Sequence, residues 1–574
     1  MHVLATAGHV DHGKSTLVRA LTGMEPDRWA EERRRGMTID LGYAWTALPS
    51  GEVVAFVDVP GHQRFLGNML AGLGPAPAVM LVVAADEGWR RQSAEHLAAV
   101  EALGVTRGLL VVTRSDLVDP GAALAEARSA LAGSGLADVE AVVASGTTGQ
   151  GLDGVRAALD RLVADAPAAD PGAAVRLWVD RSFTVRGAGT VVTGTLPAGT
   201  LRTGDELLLR DRLVTVRGLQ SLGAPTTVVV APARVAVNLR GVDKDEVRRG
   251  DALLAKGSWC STALLDVACA ADALPENLVC HVGTAAVAAR VRPLGARHAR
   301  LSLEAALPLV AGDRLVLREP ARQEVLGGAT VLDPEPPPLE RRGAARARGT
   351  SLTQDGGAAD ELVRAGAVRV SDLDRRGLRT PAGALRFGAL AVDPRRWAEW
   401  QRELRALVAR DPAAGGVPER AAVQALDLPA ELLGALADAA GLARAAGRVR
   451  DPASAGSLGA AEGAVSRVEA RLRDTPFLPP DKEEMLGLGL SGKDVAAAEQ
   501  QGRLLRLSAD LVLLPDGPAR AMRVLATLPQ PFSTSEARQA LGTTRRVAVP
   551  LLEHLDRRGW TRRVDESSRE VVRG

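Results

Sequence analysis

The sequence predicts a multidomain chain in which an α/β P-loop domain precedes two antiparallel β-barrels and then tandem winged-helix modules. Three features carry this prediction. A glycine-rich loop joins an apolar strand to a helical segment at residues 7–16, β-branched segments with glycine turns fill residues 175–333, and a helix, glycine and hairpin pattern recurs after residue 345. At 574 residues the chain is several times the usual domain size, so we expect about four domains or more.

Composition and charge exclude several classes of protein. The net charge of +2 does not by itself indicate a nucleic-acid-binding chain, so such a case must rest on where the charge lies. Cys260, Cys269 and Cys280 lack the number of a disulfide scaffold and the close pairs of a zinc site, and we expect them to be buried. The opening MHVLATAGHV has no basic leader, and no uninterrupted apolar run reaches about 18 residues. We therefore expect a soluble, cytoplasmic protein with no membrane partner.

The stretch AGHVDHGKST, residues 7–16, fits the phosphate-loop pattern through Gly8, Gly13, Lys14 and Ser15. Glycines let the loop wrap with its N–H groups pointing inward, and the following helix presents its positive end to a polyphosphate. We expect Lys14 to reach the β and γ phosphates and the Ser15 hydroxyl to bind Mg²⁺. The alternative is an ordinary glycine turn between a strand and a helix.

A second apolar strand ends in the sequence DVPGH, residues 58–62. An acidic residue at the carboxyl end of a buried strand beside a phosphate loop is where such folds hold Mg²⁺, so we assign Asp58 to the metal. Gly61 can offer its N–H to a γ-phosphate. His62 then lies where an attacking water is oriented, and the alternative for a single loop histidine is a solvated or capping role.

Two more buried strands, at residues 78–88 and 106–116, complete a doubly wound α/β domain, which we bound at 1–172. Asp116 ends the second of them and can accept hydrogen bonds from N1 and N2 of guanine. Adenine cannot offer these donors, so the sequence favours GTP over ATP. The segment 142–155 adds a strand and a loop that brings Ser145 near the base.

These motifs together resemble the EF-Tu class of translational GTPases. The resemblance rests on GHVDHGKST, the run Gly36, Met37, Thr38, the sequence DVPGH and the strand that ends in Asp116. It implies that Thr38 closes over Mg²⁺ and that His62 positions the hydrolytic water when the ribosome engages. It implies GTP contacts by Asp11, His12, Gly13, Lys14, Ser15, Thr16, Gly61, Thr113, Asp116 and Ser145. Thr113 and Arg114 depart from the pattern, because the class has Asn and Lys there, and an Asn that ties loops together is lost.

The barrels narrow the resemblance. Residues 175–209 and 233–254 form the first, bounded at 173–256, and about 263–333 form the second, bounded at 257–340. The segments RSFTVRGAGTVVTGT and VAVNLRGVDKDEVRRGD resemble the corresponding segments of the SelB family of selenocysteine-specific elongation factors. In that family the positions matching Asp40, Arg181 and Arg234 line an aminoacyl pocket. A selenol is mostly ionised at neutral pH, so a cationic pocket suits it. The alternative is that both arginines form ordinary ion pairs on the barrel surface.

The C-terminal part follows a proline- and arginine-rich linker at 333–349. An amphipathic helix, a glycine and two short strands recur at 428–452, 486–515 and 541–571, with a weaker match at 371–392. We infer four winged-helix modules, bounded at 341–400, 401–455, 456–516 and 517–574.

The last module is the basic one. Its candidate RNA-binding residues surround the predicted recognition helix and hairpin: Arg545, Arg546, Arg557, Arg558, Trp560, Arg562 and Arg563. Arginines neutralise phosphates, and Arg and Trp stack on unpaired bases, although basic runs are often only solvated faces. The SelB resemblance implies that this module binds a hairpin in mRNA.

The resemblance thus implies a GTPase that uses GTP and Mg²⁺, binds selenocysteinyl-tRNA, an mRNA hairpin and the ribosome, and acts as a monomer. Two alternatives remain. The first is a general EF-Tu-like factor that carries ordinary aminoacyl-tRNA. The second is a winged-helix regulator of nucleic acid for which the GTPase is only a switch, although the barrels argue against it.

Overall fold

The computed structural model describes residues 1–26, 38–187, 189–269, 274–321, 324–354, 356–410, 416–452, 458–565 and 567–572. Gly36 and Met37, which carry part of the resemblance, lie outside these ranges. The chain divides into two compact units, Met1–Ala382 and Gly383–Gly574.

The first unit opens with a six-stranded sheet. Its strands are β1 (His2–Ala7), β2 (Gly42–Ala47), β3 (Val53–Asp58), β4 (Val79–Ala84), β5 (Gly108–Thr113) and β6 (Glu140–Val143). They lie in the order β2-β3-β1-β4-β5-β6, and all pair in parallel except β2, which is antiparallel to β3. The chain crosses between strands through the helices α1 (Lys14–Thr22), α2 (Leu66–Leu73), α3 (Arg91–Ala102), α4 (Gly121–Leu131) and α5 (Leu152–Ala164).

Both faces of this sheet are covered, which explains why its strands are continuously apolar. One core packs α1 and α5 against alternate strand residues such as Phe56 and Met80. The other core packs α2, α3 and α4 against residues such as Val57 and Leu81. The predicted doubly wound domain is confirmed, and the carboxyl ends of β1, β3 and β5 meet at one edge of the sheet.

A first β-barrel follows. Its strands are β7 (Arg176–Val185), β8 (Gly189–Leu196), β9 (Thr200–Arg202), β10 (Glu206–Leu209), β11 (Arg212–Ser221), β12 (Ala224–Thr226), β13 (Val228–Val230), β14 (Ala233–Arg240) and β15 (Ala252–Ala255). The order β10-β15-β7-β8-β14-β11 closes because β10 also pairs with β11. Alternate residues of β14, Val235 and Val237 among them, fill the interior.

A second barrel, also closed, has the strands β16 (Thr262–Cys269), β17 (Asn277–Val282), β18 (Ala285–Pro293), β19 (His298–Leu307), β20 (Arg314–Arg318) and β21 (Val325–Asp333). It packs closely on its neighbours. A Cβ at Gly283 would lie 2.4 Å from the Trp178 ring of the first barrel, and one at Gly328 would lie 2.5 Å from the Ala102 carbonyl of α3. Glycine at these positions lets three domains meet without a gap.

Short elements complete this unit: α6 (Ala344–Gln354), α7 (Gly356–Ala365), β22 (Ala367–Arg369) and α8 (Val370–Arg375). Buried arginines fasten them to the second barrel. Arg348 contacts Asp266 at 2.8 Å and Asp333 at 2.6 Å, and Arg376 contacts the other oxygen of Asp333 at 2.6 Å. Because an unpaired buried charge is costly, these bridges fix the helices to the barrel.

The second unit contains helices and short hairpins. They are β23 (Leu385–Phe387), β24 (Leu390–Val392), α9 (Pro394–Ala409), β25 (Val417–Pro418), α10 (Glu419–Leu426), α11 (Leu433–Ala439), β26 (Ala443–Ala445), β27 (Arg448–Arg450), α12 (Glu462–Asp474), α13 (Lys482–Gly487), α14 (Gly492–Gln500), β28 (Leu505–Ser508), β29 (Leu511–Leu513), α15 (Gly517–Leu525), β30 (Phe532–Ser533), α16 (Thr534–Ala540), α17 (Arg545–Arg557), β31 (Thr561–Arg563) and β32 (Ser568–Val571).

The predicted helix, glycine and hairpin pattern recurs in this unit, and the winged-helix fold class is confirmed. Capping boxes start several of these helices; Ser533, for example, exchanges hydrogen bonds with Glu536 at the start of α16. One continuous core runs from Leu458 to Leu555, so the last two predicted modules pack as one body. The residue boundaries between the modules stay predictions.

Two further expectations concern the burial of the cysteines and the length of apolar helices. The cysteines are free thiols, but the expectation that all are buried is wrong: Cys280 is buried, whereas Cys260, just before β16, and Cys269, the last residue of β16, are half-buried. No helix in the described ranges combines the length and the hydropathy needed to span a bilayer.

Candidate functional site

The loop between β1 and α1 forms one wall of a cavity of about 640 Å³. Gly8 and Gly13 have φ angles of 137° and 79°, and a Cβ at Gly8 would lie 2.2 Å from the Val82 carbonyl. The loop can therefore lie tightly against β4 only with glycine there. Of the predicted GTP contacts, the cavity is lined by Asp11, Gly13, Lys14, Ser15, Thr16, Gly61, Thr113, Asp116 and Ser145.

Lys14 extends into the mouth of this loop. Its side chain is buried, and Nζ donates to the carbonyls of Gly8 at 3.0 Å and His9 at 2.8 Å. The ammonium of Lys14 and the positive end of the α1 dipole together favour an anion at the N-terminus of α1.

His12 differs from the other predicted contacts because its side chain lies beneath the loop. Its Nδ1 lies 3.3 Å from the Val82 carbonyl, and the side chain is fully buried. Burial lowers the pKa of His12 to about 3, so the ring is neutral at physiological pH. Only its backbone is placed to contact a nucleotide.

The three predicted metal ligands meet at one point. The Ser15 hydroxyl donates to Asp58 Oδ2 at 2.6 Å and lies 2.9 Å from the Thr38 hydroxyl. Thr6 donates to the other oxygen of Asp58 at 2.6 Å and orients the carboxylate. Two hydroxyls and a carboxylate are oxygen donors of the kind that Mg²⁺ takes, so this donor set fits the ion.

Thr113 supplies the tie that the sequence suggested was lost. Its hydroxyl donates to the His12 carbonyl at 2.7 Å and lies within 3.3 Å of the Val83 carbonyl. Arg114 adds a second link through the Asp11 carbonyl, and it pairs with Asp86 at 2.8 Å. Thr113 and Arg114 therefore tie the end of β5 to the phosphate loop, although the Asn of the EF-Tu class is absent.

The base-side loop is ordered by its own turn. Ser145 Oγ accepts from the Thr147 N–H at 3.3 Å and the Thr148 N–H at 3.1 Å. Ser145 and Gly146 of this loop line the cavity together with Asp116.

His96 was missed by the sequence analysis. This buried residue of α3 accepts the Gly8 N–H on Nδ1 at 3.0 Å, and its ring also bonds the Gly61 carbonyl. Nδ1 accepts, so the ring carries its proton on Nε2, and burial lowers its pKa to about 3. Histidine at this position joins the phosphate loop to the segment before His62, and only its sequence distance from the loop hid it.

The predicted catalytic residue, His62, is not among the residues that line the cavity. Its Nδ1 accepts from the Arg64 N–H at 3.1 Å, and its ring centroid lies 6.1 Å from that of Phe65. The side chain is half-buried on the short turn before α2. Its part in hydrolysis stays a prediction that requires this turn to move toward the nucleotide.

A second cluster lies where β2 approaches the first barrel. Arg181 pairs with Asp40 at 3.3 Å, and Arg234 pairs with the buried Asp180. The ring centroid of Tyr43 lies 3.8 Å from the guanidinium of Arg234 and 4.9 Å from that of Arg181. The structure thus brings together all three predicted pocket residues. We name the group Asp40, Tyr43, Asp180, Arg181 and Arg234 the arginine pocket.

Sequence reasoning missed two members of the arginine pocket. Burial alone would raise the pKa of the Asp180 carboxyl, but the charge of Arg234 and hydrogen bonds from Arg234 and Thr193 outweigh it and lower the pKa. Burial raises the pKa of the Tyr43 phenol, so it stays protonated. Its hydroxyl oxygen is buried beside the guanidinium of Arg234. The local sequence around Tyr43, which follows a glycine, and around Asp180, which lies on a strand, has no pattern that would mark either residue as functional.

The candidate RNA-binding residues form two groups at opposite ends of α17. Arg545 and Arg546 are exposed at its N-terminus, and neither forms an ion pair with a described residue. The other group lies at the C-terminus and hairpin: Arg557, Arg558, Trp560, Arg562 and Arg563. A helix of this length separates the groups by roughly 18 Å.

The C-terminal group is partly neutralised. Arg562 pairs with Glu570, and Arg563 lies 3.8 Å from Asp556. Trp560 is half-buried against the core, with Arg558 5.5 Å from its ring. Arg557 and Arg558 are exposed and form no ion pair with a described residue, and Arg546 lies near Glu484, so uncompensated positive charge remains at both ends of α17.

The fold and the nucleotide site define a translational GTPase. Residues 1–167 match the family Elongation factor Tu GTP binding domain, and residues 189–254 match Elongation factor Tu domain 2. Two matches are narrower: residues 271–338 match Selenocysteine-specific elongation factor, beta-barrel domain, and residues 523–569 match Elongation factor SelB, winged helix.

Comparisons with known proteins over the whole chain agree with these family matches. The selenocysteine-specific elongation factor of Escherichia coli (strain K12) is 32% identical over 605 aligned positions, which cover 98% of this chain and 97% of that protein. The selenocysteine-specific elongation factor of Haemophilus influenzae (strain ATCC 51907 / DSM 11121 / KW20 / Rd) is 36% identical over 358 residues, which cover 59% of this chain and 56% of that protein. The crystal structure of bacterial selenocysteine-specific elongation factor EF-Sec superposes with a TM-score of 0.71 at 25% identity, covering 100% of both chains. The chain belongs to the family of selenocysteine-specific elongation factors, SelB.

Proposed function

We propose that this chain binds GTP with Mg²⁺, carries selenocysteinyl-tRNA to the ribosome at a recoded UGA codon, and is held there by an mRNA hairpin on its last winged-helix module. It works as a monomer in the cytoplasm. The observation that carries the proposal is the arginine pocket, in which the guanidiniums of Arg181 and Arg234 lie 4.9 Å and 3.8 Å from the ring centroid of Tyr43.

The nucleotide part rests on the cavity beside α1. Lys14 and the loop N–H groups would hold the phosphates, and Asp116 would accept from the guanine edge. Ser15, Thr38 and Asp58 would hold Mg²⁺, which neutralises charge on the phosphates when bound. His62 would orient the attacking water once its turn moves to the γ-phosphate.

The amino-acid part rests on charge. Selenocysteine, unlike serine, presents an anion at neutral pH, and a pair of guanidiniums over an aromatic ring stabilises an anion in a partly dry pocket. Serine would place a neutral hydroxyl there and would leave the arginines without a new partner. The difference in affinity between selenocysteine and serine should be large. Serine cannot form the charge-assisted contact, and the desolvated guanidiniums that remain without it cost free energy.

The pocket is next to the nucleotide switch. Thr38, a proposed Mg²⁺ ligand, lies two residues before Asp40, which pairs with Arg181. A change at the γ-phosphate would thus reach the aminoacyl site through only a few residues. This connection supports a factor whose tRNA affinity depends on GTP.

Reconstituted translation tests the proposal. We expect a reading frame that contains UGA followed by the cognate hairpin to give full-length product only with this protein, selenocysteinyl-tRNA and GTP. The same message with a scrambled hairpin is the control, and it should terminate. Decoding of sense codons with ordinary aminoacyl-tRNA would instead favour a general EF-Tu-like factor, and no product with either tRNA would favour the regulator.

A further inference from the structure

Arg19 and Glu25 line the nucleotide cavity, but neither has a role in the proposed function. Arg19 Nη1 lies 3.1 Å from Glu25 Oε2, so the two side chains form an ion pair at the cavity wall. The other charged residues that line the described wall are either among the expected GTP contacts or, in the case of Arg114, paired with Asp86. The Arg19–Glu25 pair is therefore placed to contact a part of the nucleotide to which no group has been assigned.

The chain on either side of Glu25 is held in place. On one side, the Met24 N–H donates to the Thr22 hydroxyl at 3.1 Å. On the other side, Pro26 is buried against Gly42 of β2, where a Cβ would lie 2.9 Å from the Pro26 Cβ. Because both neighbours of Glu25 are fixed and its carboxylate is bound by an arginine, the side chain is directed to the cavity before a nucleotide arrives.

The first turn of α1 lies between the two ends of the cavity. Lys14 and Ser15, the expected phosphate and metal contacts, begin this turn. The base-side loop packs on the same turn, since a Cβ at Gly146 would lie 3.2 Å from Thr16 Cγ2. Arg19 follows Ser15 by four residues, so it projects from the same face of α1 one turn further on. The ribose joins the base to the phosphates and would therefore lie beside the Arg19 side of the wall.

We propose that the Glu25 carboxylate accepts hydrogen bonds from the ribose hydroxyls of the guanine nucleotide, and that Arg19 is a positioning residue that holds this carboxylate. A carboxylate can accept from two neighbouring hydroxyls, and folds of this type use an acidic residue for ribose elsewhere. Hydrogen bonds to a charged acceptor are also stronger than those between neutral groups. The inference rests on the nucleotide part of the proposed function and deepens it, because it assigns selection for the sugar.

Titration calorimetry of the full chain with GDP and with 2′,3′-dideoxy-GDP tests the inference. We expect the wild type to bind GDP about tenfold or more tightly than the dideoxy nucleotide. Glu25→Met should lower GDP affinity until the two nucleotides bind within about threefold of each other, and it should leave the dideoxy affinity nearly unchanged. Glu140→Met is the matched control and should keep the full preference, because Glu140 is an exposed carboxylate of the same domain that pairs with Arg161 at 2.6 Å and does not line the cavity.

Variants of Arg19 test its positioning role with the same two nucleotides. Arg19→Met should lose part of the preference for GDP, and Arg19→Lys, which keeps the charge, should retain most of it. A full preference in Glu25→Met, or equal wild-type affinities for the two nucleotides, would overturn the inference and leave the proposed function intact. An equal loss of both nucleotides in Glu25→Met would assign Glu25 to the folding of its loop and would also overturn it. Failure of the wild type to bind GDP at all would overturn the inference and the proposed function together.

Discussion

The hydroxyl of Thr113 donates to the backbone carbonyl of His12 at 2.7 Å. This hydrogen bond joins the carboxyl end of β5 to the phosphate loop. Both groups are buried, so the bond is shielded from water and holds the base-binding and phosphate-binding sides of the cavity at a fixed separation.

Replacing Thr113 by Val keeps the shape of the side chain and removes the donor. We expect Thr113→Val to weaken GDP and GTP binding by about 1 kcal/mol or somewhat more, because the His12 carbonyl is left without its buried donor. Thr113→Ser, which keeps the hydroxyl, should bind nearly as the wild type does. Titration calorimetry measures both. Unchanged affinity in Thr113→Val would mean that Arg114 alone ties the loops.

His62 is expected to act in hydrolysis and not in nucleotide binding, since it does not line the cavity. His62→Ala should bind GTP with wild-type affinity and lose ribosome-stimulated hydrolysis by at least about a hundredfold. Single-turnover hydrolysis of bound GTP with and without ribosomes measures this loss. A variant that hydrolyses GTP normally on the ribosome would assign the water-orienting role to another group.

Acid should weaken the contact between His96 and the phosphate loop. The pKa of His96 is about 3 in the folded protein against 6.5 for an unperturbed imidazole, so the unfolded state binds the proton more readily between these values. Stability of this region is therefore full above pH 6.5 and falls as pH drops, with a slope that approaches about 1.4 kcal/mol per pH unit for each such histidine.

Hydrogen exchange of the β1 amides, corrected for intrinsic rates, measures this dependence in the full chain. We expect protection to fall between pH 6.5 and pH 5 in the wild type. In His96→Gln it should fall less steeply, because the amide cannot take up the proton; His12, which also has a pKa of about 3, keeps part of the slope. Equal slopes in the two proteins would contradict the assignment to His96.

The exposed pair Arg545 and Arg546 should carry much of the phosphate contact with an mRNA hairpin. We expect the double change to Ala to weaken hairpin binding and to reduce the slope of log affinity against log salt by about one for each arginine. Arg562→Ala is the matched control, because its guanidinium already pairs with Glu570, and it should change the slope less. A larger change in slope for Arg562→Ala than for the double variant would instead place the RNA-binding surface on the β31–β32 hairpin.

The sequence was most informative where function constrains spacing. The loop with Lys14 and Ser15, the strand that ends in Asp58 and the barrel that carries Arg234 were each predictable, because local pattern alone defines them. His96 was not. It acts through partners far away in the sequence, and a histidine on a helix has no local pattern that distinguishes it.

The structure also shows what the departure from the EF-Tu pattern at Thr113 does. The sequence shows that Thr113 replaces an Asn that ties loops together in the EF-Tu class, but it cannot show whether another side chain makes that tie. The backbone of β5 brings the shorter side chain within 2.7 Å of its acceptor, so the link persists. Likewise, the basic residues of the last module looked like one cluster in sequence, and the length of α17 divides them.

The most direct test of the account is the affinity of the GTP-analogue complex for selenocysteinyl-tRNA compared with seryl-tRNA on the same tRNA body. The arginine pocket predicts a preference for selenocysteine of at least about a hundredfold, or roughly 3 kcal/mol. It also predicts that Arg181→Ala or Arg234→Ala reduces this preference. Equal affinities for the two tRNAs in the wild type would contradict selection by charge and would leave a translational GTPase whose arginines serve only the barrel.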